Sequence, residues 1–191
     1  MTSPGKDAPA DEGAGPAGAR PLALVGLRAS GKSTVGRALA ERLGRPYIDL
    51  DDALAESFGG EGESAGGVLR RVGEPRFREL EREVLRVALV RSDGPVIGTG
   101  GGVVERADNR ADLSSLGRVV WLRASPDVLV ARLAADATDR PPLTELDAVA
   151  EVHALAARRG PLYAEVAEVI VDVDGLDVMT LLERIFSQLE R

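Results

Sequence analysis

A chain of 191 residues is long enough for one domain with a full hydrophobic core and short for two, and its 44% hydrophobic and 29% charged residues include no apolar run near the roughly 20 needed to cross a bilayer. The formal net charge of −7 argues against a broad nucleic-acid surface, which needs clustered Lys and Arg to displace counterions. A Cys count of 0 removes disulfides and cysteine zinc sites.

Residues 1–20 are rich in Gly, Pro, Ala and Asp and have no apolar stretch after their one lysine, so they read as a disordered tail and not as a secretory signal. A cytoplasmic protein is the expectation, with a single domain over residues 21–191. The apolar run Leu22 to Val25 reads as a first strand, and Ser33 to Leu43 carries Val35, Ala38, Leu39 and Leu43 at helical spacing. Tyr47 and Ile48 open a second strand, followed by a helical stretch from Asp52, a long helix from Pro75 to Val90 with its proline at the start, and a strand from Val96 to Gly98. Next come a strand from Val119 to Leu122, a helix opened by Ser125, Pro126 and Asp127, a strand from Val169 to Val171 and a final helix from Val178 to Leu189. Residues 134–146, AADATDRPPLTEL, are polar, carry two prolines and lack helical periodicity, which predicts a surface loop able to close over a site. Five apolar strands, each followed by a helix, predict an α/β fold: a five-stranded parallel sheet with helices on both faces, since right-handed crossovers place them there.

The stretch GLRASGKST, from Gly26 to Thr34, fits the phosphate-binding pattern G-x-x-x-x-G-K-[ST] in the strand-loop-helix context that the pattern requires. Small residues let backbone N–H groups face phosphate oxygens, and the following helix adds its positive end. Lys32 is placed to reach the outer phosphates, and the Ser33 hydroxyl is placed to meet Mg²⁺.

YIDLD, from Tyr47 to Asp51, puts two acids at a strand's carboxyl end, where open α/β sheets bind ligands. Strand alternation sends Asp49 and Asp51 to one side, one carboxylate for a cation and one for a substrate hydroxyl; the competing reading makes Asp51 only a helix cap. In GEPRFRELE, Arg78 and Glu81 share a helix face, a pair that taken alone reads as solvated. The run GTGGGVV, from Gly98 to Val104, offers backbone that a ligand can approach closely, or else a flexible connection. Arg140, in the proline loop, and Arg159, in RRGPLY, carry guanidinium forks suited to carboxylate and phosphate.

In their order, G-x-x-x-x-G-K-S-T, D-x-D, G-E-x-x-F-R-x-x-E, G-G-G, R-P-x-L and R-x-P-L-Y resemble the shikimate kinase family from about Pro21 onward. The resemblance implies a P-loop kinase fold with a mobile lid over residues 134–146. It also implies ATP-dependent phosphorylation of the 3-hydroxyl of shikimate, on the route to chorismate and the aromatic amino acids. By the motif match, Gly26, Ala29, Ser30 and Gly31, with Lys32, Ser33 and Thr34, would hold ATP; Ser33 and Asp49 would organise Mg²⁺; and Asp51 would orient the attacking hydroxyl. Arg78 and Arg159 would grip the shikimate carboxylate beside Gly100, Gly101 and Gly102, and Arg140 would bring positive charge onto the transferring phosphate. Arg132 falls near the family's adenine-stacking arginine, one residue out of step with R-P, and Asp174-Gly175 falls where the chain passes the adenine. A monomer is expected.

Two departures stand out. Ala29 occupies a place where the family usually has glycine, and the segment from Phe58 to Gly67 is longer than usual, with Ala65 and Gly66 in place of bulkier apolar residues. His153 and Trp121 read as an ordinary helical residue and a core residue. Two other readings remain at this stage, a gluconate-type kinase and a ligand sensor without turnover.

Overall fold

Residues 19–116, 118–135 and 145–189 are described by the computed structural model. Within them β1 (Leu22–Val25), β2 (Tyr47–Asp49), β3 (Val96–Gly98), β4 (Val119–Arg123) and β5 (Val169–Asp172) form one sheet in the order β2-β3-β1-β4-β5, every pairing parallel. Helices cover both faces, as the sequence predicts. Leu22 and Leu24 of β1 enter one core with α1 (Lys32–Leu43) and α8 (Val178–Leu189). Ala23 and Val25 point the other way, into a core shared with α2 (Leu50–Phe58), α4 (Glu74–Leu89) and α7 (Glu145–Val166). Along α4 the buried positions Phe77, Leu80, Glu81, Val84, Leu85 and Ala88 recur at threes and fours, so one stripe faces the sheet.

Two helices have no counterpart in the sequence reading, α3 (Ala65–Val72) and α5 (Ala107–Leu116). Gly66 and Gly67 weaken the helical signal of α3, but Ser64 caps it by accepting the Gly67 N–H at 3.3 Å, and Val68 anchors it in the core. The remaining helix of the layer, α6, spans Pro126–Ala135. Residues 136–144, which include Arg140, and residues 1–18 lie outside the described residues. Among those described, no helix is long and apolar enough to cross a membrane.

The strand reading of YIDLD needs correction. β2 ends at Asp49, whose Oδ1 accepts the Asp51 N–H at 3.1 Å and so caps α2, which begins at Leu50 and not at Asp52. Asp51 therefore sits in the first turn of a helix, and the capping role weighed for it belongs to Asp49. The two acids are neighbours because a helix starts there, not because a strand alternates.

Register fixes where the site forms. Leu24 pairs with Gly98, and Gly98 pairs with Asp49, so three adjacent strands reach their carboxyl ends at one level. Beyond that level lie the loop from Gly26, the triple glycine from Gly100 and the acid pair. β1 is also where the strand order reverses, with β3 on one side and β4 on the other, the position at which open α/β sheets bind ligands.

Candidate active site

A cleft of about 870 Å³ opens over this edge. One end is lined by the loop residues Ala29 to Thr34, the other by Arg78, Gly101, Gly102 and Arg159, with Asp49 and Asp51 in the wall. Gly26 and Gly100, both buried, lie behind that wall.

The loop is shaped by its backbone. Gly26 and Gly31 have φ of 145° and 94°, in the region that favours glycine, and a Cβ on Gly26 would lie 2.7 Å from the Leu122 carbonyl oxygen. Ala29 adopts φ 63°, a positive φ on a residue with a side chain, so the missing glycine falls where the loop needs one. Its carbonyl oxygen accepts from Arg132 at 3.1 Å, which brings the arginine of α6 onto the loop. The first N–H groups of α1 have no acceptor within the helix, and the buried Ser30 Oγ has no partner among the described residues. Lys32 bends back, donating to the carbonyl oxygens of Gly26 at 2.9 Å and Leu27 at 2.8 Å. Burial pushes its ammonium down to about 8, against the pull of Asp51 and Asp49 in the other direction.

The Ser33 hydroxyl donates to Asp49 Oδ2 at 3.0 Å, and Tyr47 donates to the same oxygen at 3.1 Å. Tyr47 is a contact that motif reading missed; room for it comes from Gly36 and Gly98, where a Cβ would overlap its ring and hydroxyl. Asp51 presents its surface to the cleft, yet enough protein crowds the carboxyl that loss of water raises its pKa, with Asp49 adding to the rise and Lys32 opposing it.

The far end is built from side chains. Arg78 donates to Glu81 at 3.0 Å and to Glu74 at 3.2 Å. Glu81 is only 2% exposed, so this is no solvated pair: burial raises its carboxyl pKa while Arg78 pulls it down. None of the three glycines has positive φ; what they supply is space. A Cβ on Gly102 would lie within 2.5 Å of the Arg78 guanidinium, and one on Gly100 would lie 2.7 Å from Glu81 Oε1 and 3.1 Å from Asp51 Oδ1. Arg159, on α7, lies beside Gly101, and Tyr163, one turn further, donates to the Gly101 carbonyl at 2.5 Å. That helix continues through Pro161.

Leu129 and Leu133 of α6, with Leu176, Val178 and Leu181, give the loop end of the cleft an apolar border. Asp174, expected near an adenine, accepts the Ser125 N–H at 3.2 Å. Trp121 is half-buried, 5.6 Å from the ring of Tyr163, and the exposed His153 lies 3.5 Å from Asp127.

A phosphate-binding loop that opens a helix at the reversal point of such a sheet, facing acids and arginines across one small cleft, belongs to the P-loop kinases of small molecules. A family model described as shikimate kinase matches residues 28–190. The shikimate kinase of Paracidovorax citrulli is 42% identical over 170 residues, covering 87% of this chain and 90% of that protein. Among solved structures, the shikimate kinase from Acinetobacter baumannii in complex with shikimate superposes with a TM-score of 0.80 at 31% identity, over 90% of this chain and 93% of that one. The enzyme from Bacteroides thetaiotaomicron gives 0.81 at 31%, over 90% and 99%. The chain belongs to the shikimate kinase family.

Proposed function

We propose that this protein transfers the γ-phosphoryl group of ATP to the 3-hydroxyl of shikimate, giving shikimate 3-phosphate and ADP. The hydroxyl oxygen forms the new bond to phosphorus as the bond to the β-γ bridging oxygen breaks, and the hydroxyl proton passes to Asp51. The observation that carries the reading is a single cleft with an anion-binding loop at one end, a cationic pair at the other and Asp51 between them. A carboxylate with a raised pKa suits a proton acceptor better than one with an ordinary value.

Phosphates of ATP fit the loop: Ser30 Oγ lacks a partner among the described residues, and the first-turn N–H groups of α1 face the cleft end. Lys32 would release the Gly26 and Leu27 carbonyls to meet the outer phosphates. Ser33 and Asp49 would hold Mg²⁺, two oxygen donors being what this cation takes from protein when phosphates and water complete its shell. Bound there, Mg²⁺ would neutralise charge on the phosphate oxygens. Arg78 and Arg159 would grip the shikimate carboxylate beside Gly101 and Gly102, turning the 3-hydroxyl toward Asp51. Arg132 would sit at the adenine end; the expected loop shrinks to residues 136–144, since 134–135 belong to α6 and 145–146 to α7, and Arg140 from that segment would bring charge onto the transferring phosphate and help to exclude water. Every group named is on one chain, and a monomer suffices.

The test is ATP consumption by the purified protein with Mg²⁺, with and without shikimate, beside gluconate and quinate. Consumption that depends on shikimate, with the phosphorylated acid seen by mass spectrometry, is expected. Equal consumption without an acceptor, or a preference for gluconate, would overturn the reading.

A further inference from the structure

Glu105 was singled out by no motif, yet it meets the arginines at the acid end of the cleft. It closes the short 3-10 turn Val103–Glu105 that follows the triple glycine. Its Oε1 accepts from Arg159 Nε at 2.7 Å and from Arg158 at 2.5 Å, while Oε2 lies 4.0 Å from Arg78. Arg158 is 61% exposed and screened, whereas Arg159 and Glu105 keep only 12% and 22% of their side-chain surface. The pairing with Arg159 is therefore the strong one.

The position of Glu105 is rigid. Its N–H donates to the Gly102 carbonyl at 3.0 Å, and the buried Asn109 donates to the Val103 carbonyl at 2.9 Å. Arg110 donates to the Val104 carbonyl at 2.9 Å, so the turn is held from behind. Which edge of Arg159 it takes matters more. Glu105 engages Nε and so leaves the terminal edge of the guanidinium turned toward the cleft, where Nη1 lies 3.5 Å from where a Cβ on Gly101 would stand and the Tyr163 hydroxyl is a further neighbour. Arg159 and Gly101 line the cleft and Glu105 does not. The carboxylate thus stands behind the arginine, not where a substrate acid would bind. Although burial pushes its pKa up, hydrogen bonds and charge from Arg159 and Arg158 hold Glu105 below the usual range, so it is ionised at neutral pH.

We infer that Glu105 is a positioning residue that fixes Arg159 by its Nε edge, so that the guanidinium presents its terminal nitrogens to the carboxylate of an acidic substrate. This rests on the proposed role of Arg159 in holding shikimate. A guanidinium held in this way loses little freedom when an acid arrives, so the clamp acts on substrate affinity more than on turnover.

Steady-state kinetics of Glu105→Ala and Glu105→Gln against wild type test it. In Glu105→Ala we expect KM for shikimate to rise roughly tenfold, with a smaller change in kcat and an unaltered KM for ATP. Glu105→Gln, which keeps an acceptor oxygen for Nε, should recover most of the loss. An unchanged or lowered shikimate KM in Glu105→Ala, or no recovery in Glu105→Gln, would overturn the inference. A second readout is independent of the acceptor: the Nε–H resonance of Arg159, assigned with Arg159→Lys, should be protected from exchange in wild type and in Glu105→Gln and lose protection in Glu105→Ala. Its persistence in Glu105→Ala would dismiss the clamp. Wild type that shows the protected resonance but ignores shikimate would instead refute the functional reading and leave the clamp standing.

Discussion

At the loop between β1 and α1 the protein offers a ligand mainly backbone, whereas at the triple-glycine end it offers charged side chains. On the loop side, φ values at Gly26, Ala29 and Gly31 and the unbonded first turn of α1 set the geometry, and the cations Lys32 and Arg132 rest on carbonyl oxygens of the loop. On the arginine side, each guanidinium is already paired, Arg78 with Glu74 and Glu81 and Arg159 with Glu105. A polyphosphate brings enough charge to displace a lysine from carbonyls. A single carboxylate does not, and needs partners fixed beforehand; carboxylates beside the arginines keep these partly buried cations from standing alone.

Substitutions on the two sides should therefore fail differently. The largest effect is expected between them: Asp51→Asn should lower kcat roughly a thousandfold or more by removing the proton acceptor, with unchanged affinity for a non-hydrolysable ATP analogue by calorimetry. Weaker analogue binding would mean that Asp51 belongs to the loop side. Arg78→Ala comes next, raising KM for shikimate about thirtyfold while KM for ATP stays within about twofold. A parallel loss in both constants would erase the distinction between the two ends. Gly102→Ala pushes on the same arginine without removing it; because displacing the guanidinium loosens its bond to the buried Glu81, the melting temperature should fall while KM for shikimate rises about tenfold. The smallest change is on the loop side. Ala29→Gly relieves a positive φ and should add about 0.5–1 kcal/mol to unfolding free energy by denaturant titration, together with modestly tighter ATP binding. A loss of stability there would show that the alanine methyl makes contacts worth more than the strain.

The same contrast governs what the sequence disclosed. Backbone devices are local, so the strand, the loop and its helix were legible from Leu22 to Leu43, as was the parallel sheet from its apolar runs. Asp49 and Asp51 were found through faulty geometry, because a cap and a strand end look alike in five letters. The glycines at 100–102 were legible as special but not for their reason, since the groups that need the space, Arg78, Glu81 and Asp51, come from other elements. Glu105 was invisible: it stands 54 positions from Arg159, and only the packing of α7 against the turn after β3 joins them. α3 escaped because its glycines conceal a helix held by a cap and by core contact.

The level alignment of Leu24, Gly98 and Asp49 has a further meaning. Neighbouring strands lie about 4.8 Å apart, so donor loop and acceptor-side acids spring from rails two spacings, or roughly 10 Å, from each other. On the proposed reading, the working distance between the two reactants is thus ruled into the hydrogen-bond ladder itself. The gauge is set by peptide geometry and not by the side chains along the cleft, and a one-residue slip of β3 would spoil both ends at once.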